Sequence, residues 1–203
     1  MSEASERTPA NRTPPLPDEA AVIARAAGGD RTAFAQLMEH YQSACYGLAR
    51  RLLNDADQAA DATQDAFIHA YRAIGSYRGG IFRSWLMRIT ANASYDIMRR
   101  AQRRPSSPLP DPEEGAPELP DAHAVDPLAE ATKSELYRHL EVALARLPPD
   151  QRTAVVLCDV YGMDYNEVAA MTKSALGTVK SRIHRGRLRL RELLVEHREL
   201  FTR

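Results

Sequence analysis

The sequence predicts an all-α protein made of two small helical domains, an N-terminal helical bundle and a C-terminal helix-turn-helix, joined by a flexible acidic proline-rich linker. Three observations carry this. Apolar residues recur at helical spacing through most of the 203 residues. No stretch of residues 18–104 shows sustained period-2 alternation, so strands are not expected there. Prolines, which break helices and stiffen extended chain, fall in two clusters. Four of the 13 lie in residues 1–17 and seven in 105–127, whereas 18–104 has none and 128–203 has only Pro148 and Pro149. The expected layout is a disordered tail (1–17), a first domain (18–104), a linker (105–127) and a second domain (128–203).

In the first domain, Phe34, Leu37, Tyr41, Cys45, Leu48 and Leu52 share one helical face, ended or capped at Asn54 or Asp55. A second helix, about 57–74, buries Ala59, Ala62, Ala66, Phe67 and Ala70. It gathers Asp61, Gln64, Asp65 and Ile68 on another face at i, i+3, i+4 and i+7. Gly75 and Gly79-Gly80 bracket a short loop, GSYRGG. A third helix, about 82–100, turns Trp85, Ile89, Ala93 and Ile97 inward, which makes Trp85 a core residue.

The second domain opens with a helix near 128–147, with Leu136, Leu140, Leu144 and Leu147 inward, stopped by Pro148-Pro149. A helix capped by Asp150 buries Val155, Val156 and Val160 before Gly162. Asp164 and Glu167 have capping-box spacing. A short helix over 165–172, a three-residue turn and a longer helix from about 176 then make a helix-turn-helix. Leu176, Val179, Ile183, Gly186, Leu190 and Leu194 mark the inner face of the long helix. At ~100° per residue, Ser181, Arg182, Arg185 and Arg189 fall on its solvent face. An apolar inner stripe under an Arg-rich outer stripe suits a DNA major groove.

Apolar residues make up 44% and charged residues 27%, the balance of a globular chain. The longest apolar runs, 20–24 and 154–158, are far short of the ~20 residues of a membrane span. The opening segment MSEASERTPANRTPPLP lacks the apolar stretch of a secretory signal. No membrane insertion and a cytoplasmic location are expected, and Cys45 and Cys158 read as buried free thiols. The zero net charge hides an uneven distribution. Residues 18–104 and 135–203 each carry nine acids and twelve bases, whereas 105–134 carries seven acids and one base. Two basic blocks thus flank an acidic strap, and 24 of the 27 bases are Arg, the residue suited to forked phosphate and base contacts. No GxxxxGK[ST], GxGxxG, GxSxG or HExxH is present. The six His are scattered, and His40 with Cys45 is poor zinc spacing. Neither an enzyme nor a metal or cofactor is expected.

Four segments, in order, resemble the extracytoplasmic-function (ECF) family of bacterial RNA polymerase sigma factors. They are FAQLMEHYQSACYGLARRLL, DQAADATQDAFIHAYRAI, FRSWLMRITANASYDIMRRAQRR, and LARLPPDQRTAVVL followed by GTVKSRIHRGR. The resemblance implies a subunit that binds core polymerase, through the β′ clamp helices and the β subunit, and directs promoter recognition and melting. Asp61, Gln64, Asp65 and Ile68 would meet the clamp helices. Tyr77, Arg78, Arg88, Asn92, Arg99 and Arg100 would read the −10 element, with Arg103 and Arg104 adding phosphate attraction. Thr178, Lys180, Ser181, Arg182, Arg185 and Arg189 would read the −35 element. An anti-sigma factor is the further partner implied. The acids of the linker, Asp111, Glu113, Glu114, Glu118, Asp121 and Asp126, either imitate a nucleic-acid backbone inside the polymerase or simply keep a tether solvated. A stand-alone helix-turn-helix regulator is the alternative, and it leaves the QDAF face, the melting segment and the acidic linker without a role. With Arg203 nine residues after Leu194, no large C-terminal regulatory domain is expected. Some positions depart from the family pattern. Ala60 replaces a usual Glu, Thr172 a usual Leu and Gly186 a usual Ala, while Lys173 and Ser174 stand where Gly and an apolar residue are usual. Lys in a left-handed turn costs ~1 kcal/mol relative to Gly, which favours another turn geometry.

Overall fold

Small side chains and polar caps decide where the helices form and how closely they pack. A computed structural model describes residues 13–103 and 137–196, all helix and connecting turns with no strand among them. The linker acids and Arg104 lie outside the described residues. So does the stretch 128–136 of the expected helix with Leu136.

The chain begins with α1 (Glu19–Ala27), a helix the sequence reading left out. Only Val22 and Ala26 of α1 are buried, a stripe too short to stand out as periodicity. Asp30 joins it to α2 (Arg31–Leu53). One carboxylate oxygen caps α2 by accepting from the Thr32 and Ala33 amides, and the other takes the Arg25 fork at 2.9 and 2.6 Å. The Ala33 amide, and then Arg25, hold this carboxyl below its usual range. The expected face from Phe34 to Leu52 is buried throughout. Asn54 ends α2 in the left-handed conformation, and Asp55 caps α3 (Ala56–Ala73) through the Gln58 amide. Alanines 59, 62, 66 and 70 of α3 are all fully buried, so α3 seats closely against its neighbours.

In α4 (Phe82–Arg103) the buried stripe is displaced from the expected one. Phe82, Leu86, Met87, Thr90, Ala91, Ser94 and Met98 face the core together with Ala93, while Trp85, Ile89 and Ile97 flank it half-buried. The displacement has a physical cause. The hydroxyls of Thr90 and Ser94 donate to the Leu86 and Thr90 carbonyls, so two polar residues enter the core with no unmet hydrogen bond.

The second half comprises α5 (137–145), α6 (Pro149–Val155), a π-helical turn at Val156–Val160, α7 (Tyr165–Thr172) and α8 (Leu176–Glu196). Leu144 and Leu147 are buried and Leu140 is half-buried. Pro148, not Asp150, is the N-cap of α6. Proline at the first helical position needs no amide partner, which leaves the Asp150 carboxylate free to pair with Arg182. Val160 is half-buried because the π turn rotates it off the α6 face. Asp164 and Glu167 form the expected capping box. Lys173 adopts the left-handed conformation (φ 51°) despite its side chain, so the turn keeps the geometry that Gly would favour. On α8, Val179, Ile183 and Gly186 are buried, as is Leu193, whereas Leu176 is 37% exposed because packing begins only a turn later.

The halves touch. Apolar residues of both belong to one cluster, and the Thr153 hydroxyl reaches the Met98 sulfur at 3.9 Å.

Gly186 lets α8 lie close against α6. A Cβ there would meet the Val155 Cγ2 at 2.6 Å and the Gln151 carbonyl at 3.3 Å. Gly186→Ala is expected to lower stability by about 1–3 kcal/mol in denaturant unfolding. Val155→Ala should couple favourably with it, and strict additivity would sever the two residues. Burial pushes the thiols of Cys45 and Cys158 up to about 11, so both are neutral at neutral pH. Cys45 therefore contributes stability that is complete below pH 9 and lost as pH rises toward about 11. Across that window the unfolding midpoint of Cys45→Ala should fall less than that of the unaltered protein.

Candidate functional site

Three surfaces carry the residues singled out by the sequence. On α3 the alanines face inward, which leaves Asp61, Gln64 and Ile68 exposed and Asp65 half-buried along one ridge. Ile68 is 41% exposed, so an apolar group stands among polar ones at the surface. The ridge lines a groove of about 790 Å³ together with Gln58 of α3 and Ile97, Arg100 and Ala101 of α4. Arg100 thus joins the acidic ridge of α3, away from the other residues of its expected set.

The second surface is the loop before α4 with the outer face of that helix. The Tyr77 hydroxyl donates to the Gly80 carbonyl at 2.8 Å, and its ring packs edge-on against Phe82 and tilted against Trp85. Gly79 and Gly80 take φ values of 93° and 95°, the conformations that let the loop close in this way. Tyr77 is therefore part of the loop's frame, and Arg78 and Ile81 are its exposed tip. Arg88 and Asn92 follow one turn apart on the exposed face of α4, with half-buried Arg99 farther along. Arg88 is paired with Glu167 of α7.

The third surface is α8. Thr178, Lys180, Arg185 and Arg189 are exposed, and Arg185 donates to the Ser181 hydroxyl at 3.2 Å. Arg182 differs. It is half-buried and donates to the Ser174 hydroxyl at 2.9 Å and to Asp150 at 2.6 Å, so it ties the turn and α6 to α8. Arg187, on the flank, forks onto Asp159 at 2.9 and 2.5 Å, a bond that raises its guanidinium above the usual range. Among the described residues no three His, Cys, Asp or Glu are grouped to hold a metal, and no helix is long and apolar enough to cross a membrane.

Residues 37–104 match the family Sigma-70 region 2, and residues 137–190 match Sigma-70, region 4. The ECF RNA polymerase sigma factor SigM of Mycobacterium tuberculosis (strain H37Rv) is 39% identical over 178 residues, 87% of this chain and 84% of that protein. The chain belongs to the ECF family of RNA polymerase sigma factors. As such it binds RNA polymerase and directs transcription initiation at promoters. The ECF sigma factor SigE of Mycolicibacterium smegmatis is 40% identical over 176 residues, 84% of this chain and 66% of that protein's length. Among solved structures, the sigma factor RpoE in complex with the anti-sigma factor NepR from Bartonella quintana superposes with a TM-score of 0.55 at 30% identity, covering 79% of this chain and 96% of that one. CnrH, in complex with the cytosolic domain of CnrY, gives a TM-score of 0.52 at 28% identity, over 87% and 96% of the two chains.

Among the exposed apolar residues of this sigma factor, Leu188 escaped the sequence reading, and Ile81 entered it only as the end of the loop 76–81. Ile81, 68% exposed, follows the glycine pair. Leu188, 48% exposed, lies beside Arg185, Arg189 and Pro148 in a shallow groove of about 290 Å³. Leu188 stands outside the buried stripe of α8, which is the signal that could have found it. The different surroundings of the two arginines can be measured. Arg182→Ala is expected to destabilise the fold by about 1–2 kcal/mol, through loss of charge-assisted bonds. Arg185→Ala should leave the thermal midpoint unchanged, and equal losses would contradict the separate roles.

Proposed function

We propose that the three surfaces divide the work of a sigma factor among them. The α3 ridge of Asp61, Gln64, Asp65 and Ile68 meets the clamp helices of the polymerase β′ subunit. The loop 76–81 with Arg78, Arg88 and Asn92 reads the unpaired −10 strand, where Asn can both donate to and accept from an exposed base edge. Tyr77 shapes that loop, and Arg99 adds attraction to phosphate. The exposed face of α8, with Thr178, Lys180, Ser181, Arg185 and Arg189, enters the major groove at the −35 element, with Arg182 fixing the helix that carries them. Domain limits of 18–104 and 128–203, a connecting 105–127, an anti-sigma partner, action in the cytoplasm and action by binding without catalysis complete the reading. The ridge is the observation that carries it. An exposed isoleucine among carboxylates on an alanine-seated helix fits a mixed polar and apolar partner better than it fits water.

Asp61→Arg combined with Asp65→Arg is expected to abolish co-purification with bacterial core polymerase and run-off transcription from genomic fragments. Both positions are on the surface, so helicity by circular dichroism should be unaltered. Binding at unaltered affinity would remove the ridge from the interface.

A further inference from the structure

The helix that the sequence reading left out, α1, lies against the root of the loop proposed to read the −10 strand. It packs on α2 and on the 3-10 turn Ile74–Ser76, from which that loop departs. Its Ala27 carbonyl is 4.0 Å from the point where a Cβ on Gly75 would stand. The segment before α1 docks on α2 as well, because the His40 ring donates from Nε2 to the Pro14 carbonyl at 2.7 Å.

Glu19, in the first turn of α1, is the polar link. One of its carboxylate oxygens accepts from the hydroxyl of Tyr41 on α2 and, at 3.4 Å, from the Leu16 amide. Tyr41 is buried, so its hydroxyl needs an acceptor inside the fold, and a carboxylate supplies the stronger, charge-assisted kind. Burial, followed by the bond to Glu19, raises the Tyr41 phenol above its usual range, so the donor proton stays in place at neutral pH. From Tyr41 the contact continues through rings. Phe82, the buried first residue of α4, has Tyr41 at 5.7 Å, Tyr77 at 5.6 Å and Trp85 at 5.3 Å between ring centres. Tyr77 and Trp85 are themselves 5.4 Å apart. Burial, followed by the Glu19 charge, raises the Tyr77 phenol too, which keeps it protonated for its bond to the Gly80 carbonyl.

We propose that α1 is a positioning element for −10 reading, and that Glu19 acts through Tyr41 and Phe82 to hold Tyr77 closed on Gly80 so that the loop presents Arg78. The inference rests on the reading of the loop given above. The loop needs such a support. Gly79 and Gly80 at positive φ allow the closed shape but confer no preference for it, because glycine has the widest choice of conformations to lose. What selects the shape is the packing of rings against Tyr77, and a close-packed cluster transmits a displacement rather than absorbing it. A loop held ready for the strand avoids the ordering cost at the moment of binding. Glu19 is thus a positioning residue that touches no DNA itself.

The test uses the full chain, alone and with bacterial core polymerase on a duplex promoter recovered by run-off from genomic fragments. Trp85 is the chain's one tryptophan, so its emission reports on the ring cluster directly. Glu19→Ala is expected to shift that emission to longer wavelength. It should also lower promoter opening, read by permanganate at unpaired thymines, about tenfold. Glu19→Gln should restore both readouts, because its amide oxygen still accepts from Tyr41. Tyr41→Phe removes the donor and keeps the ring against Phe82, so it should reproduce the loss, and combining it with Glu19→Ala should add nothing further. It also stands in for Glu19→Ala should that variant lose helicity. Unchanged emission in both single variants, or shifted emission with unaltered opening, overturns the inference, as does a failure of Glu19→Gln to rescue. A combined Arg78→Ala, Arg88→Ala and Asn92→Ala variant separates this from the reading of the loop. If that variant opens the promoter as well as the unaltered chain does, the reading fails and the inference falls with it. If it fails to open the promoter while Glu19→Ala opens it normally, only the support by α1 is rejected.

Discussion

The constraint on which the first half depends is the close seating of α3 against α2 and α4. Alanines 59, 62, 66 and 70 are all fully buried, and Thr63 beside them bonds its own helix at the Ala59 carbonyl. Side chains this small bring helix backbones near one another and make a larger residue hard to admit. The inward face is thereby committed to packing, and the opposite face is left to recognition. The same economy recurs in α4, where Thr90 and Ser94 satisfy themselves within the helix and leave their outer neighbours, Arg88 and Asn92, on the surface.

The second half uses a different device. Gly186 allows α8 to press onto Val155 of α6, while Arg182 clasps both the turn and the start of α6. The helix-turn-helix is held at two points one turn apart, one apolar and one polar, and this leaves Arg185 and Arg189 outside the packing. Lys173 stays in its left-handed conformation because the structure around it over-determines the turn. The capping box starts α7, Arg182 grips Ser174, and the Ser174 amide returns to the Ala169 carbonyl.

Much of this was legible in the sequence. The stripe from Phe34 to Leu52, the alanine face of α3, the limits of α7 and its capping box are local patterns, and each appears where spacing placed it. The misses came from contacts that spacing does not encode. Hydroxyls bonded within their own helix made Thr90 and Ser94 core residues, Pro148 took the cap assigned to Asp150, and α1 is recognisable mainly through its docking on Asp30. Of the candidate site, the α3 ridge could be read directly from its periodicity. The inward turn of Arg182 and the position of Arg100 depend on partners in other helices, and the loop-closing role of Tyr77 depends on a local bond to the Gly80 carbonyl that periodicity does not encode.

The contacts between the halves also bear on the order in which the chain is made. Arg51 finds Glu141 only 90 residues later and Tyr161 only 110 residues later. The helices of the first half, by contrast, contact their near neighbours in sequence, an arrangement that favours rapid folding. At 5–20 residues per second, a ribosome takes about 5 to 20 s to supply those partners once Arg51 has been added. Throughout that interval Arg51 is without the two partners that the complete chain gives it. The contacts between the halves are therefore the last to form, and every copy passes through a stage in which α4 has no α7 beside it.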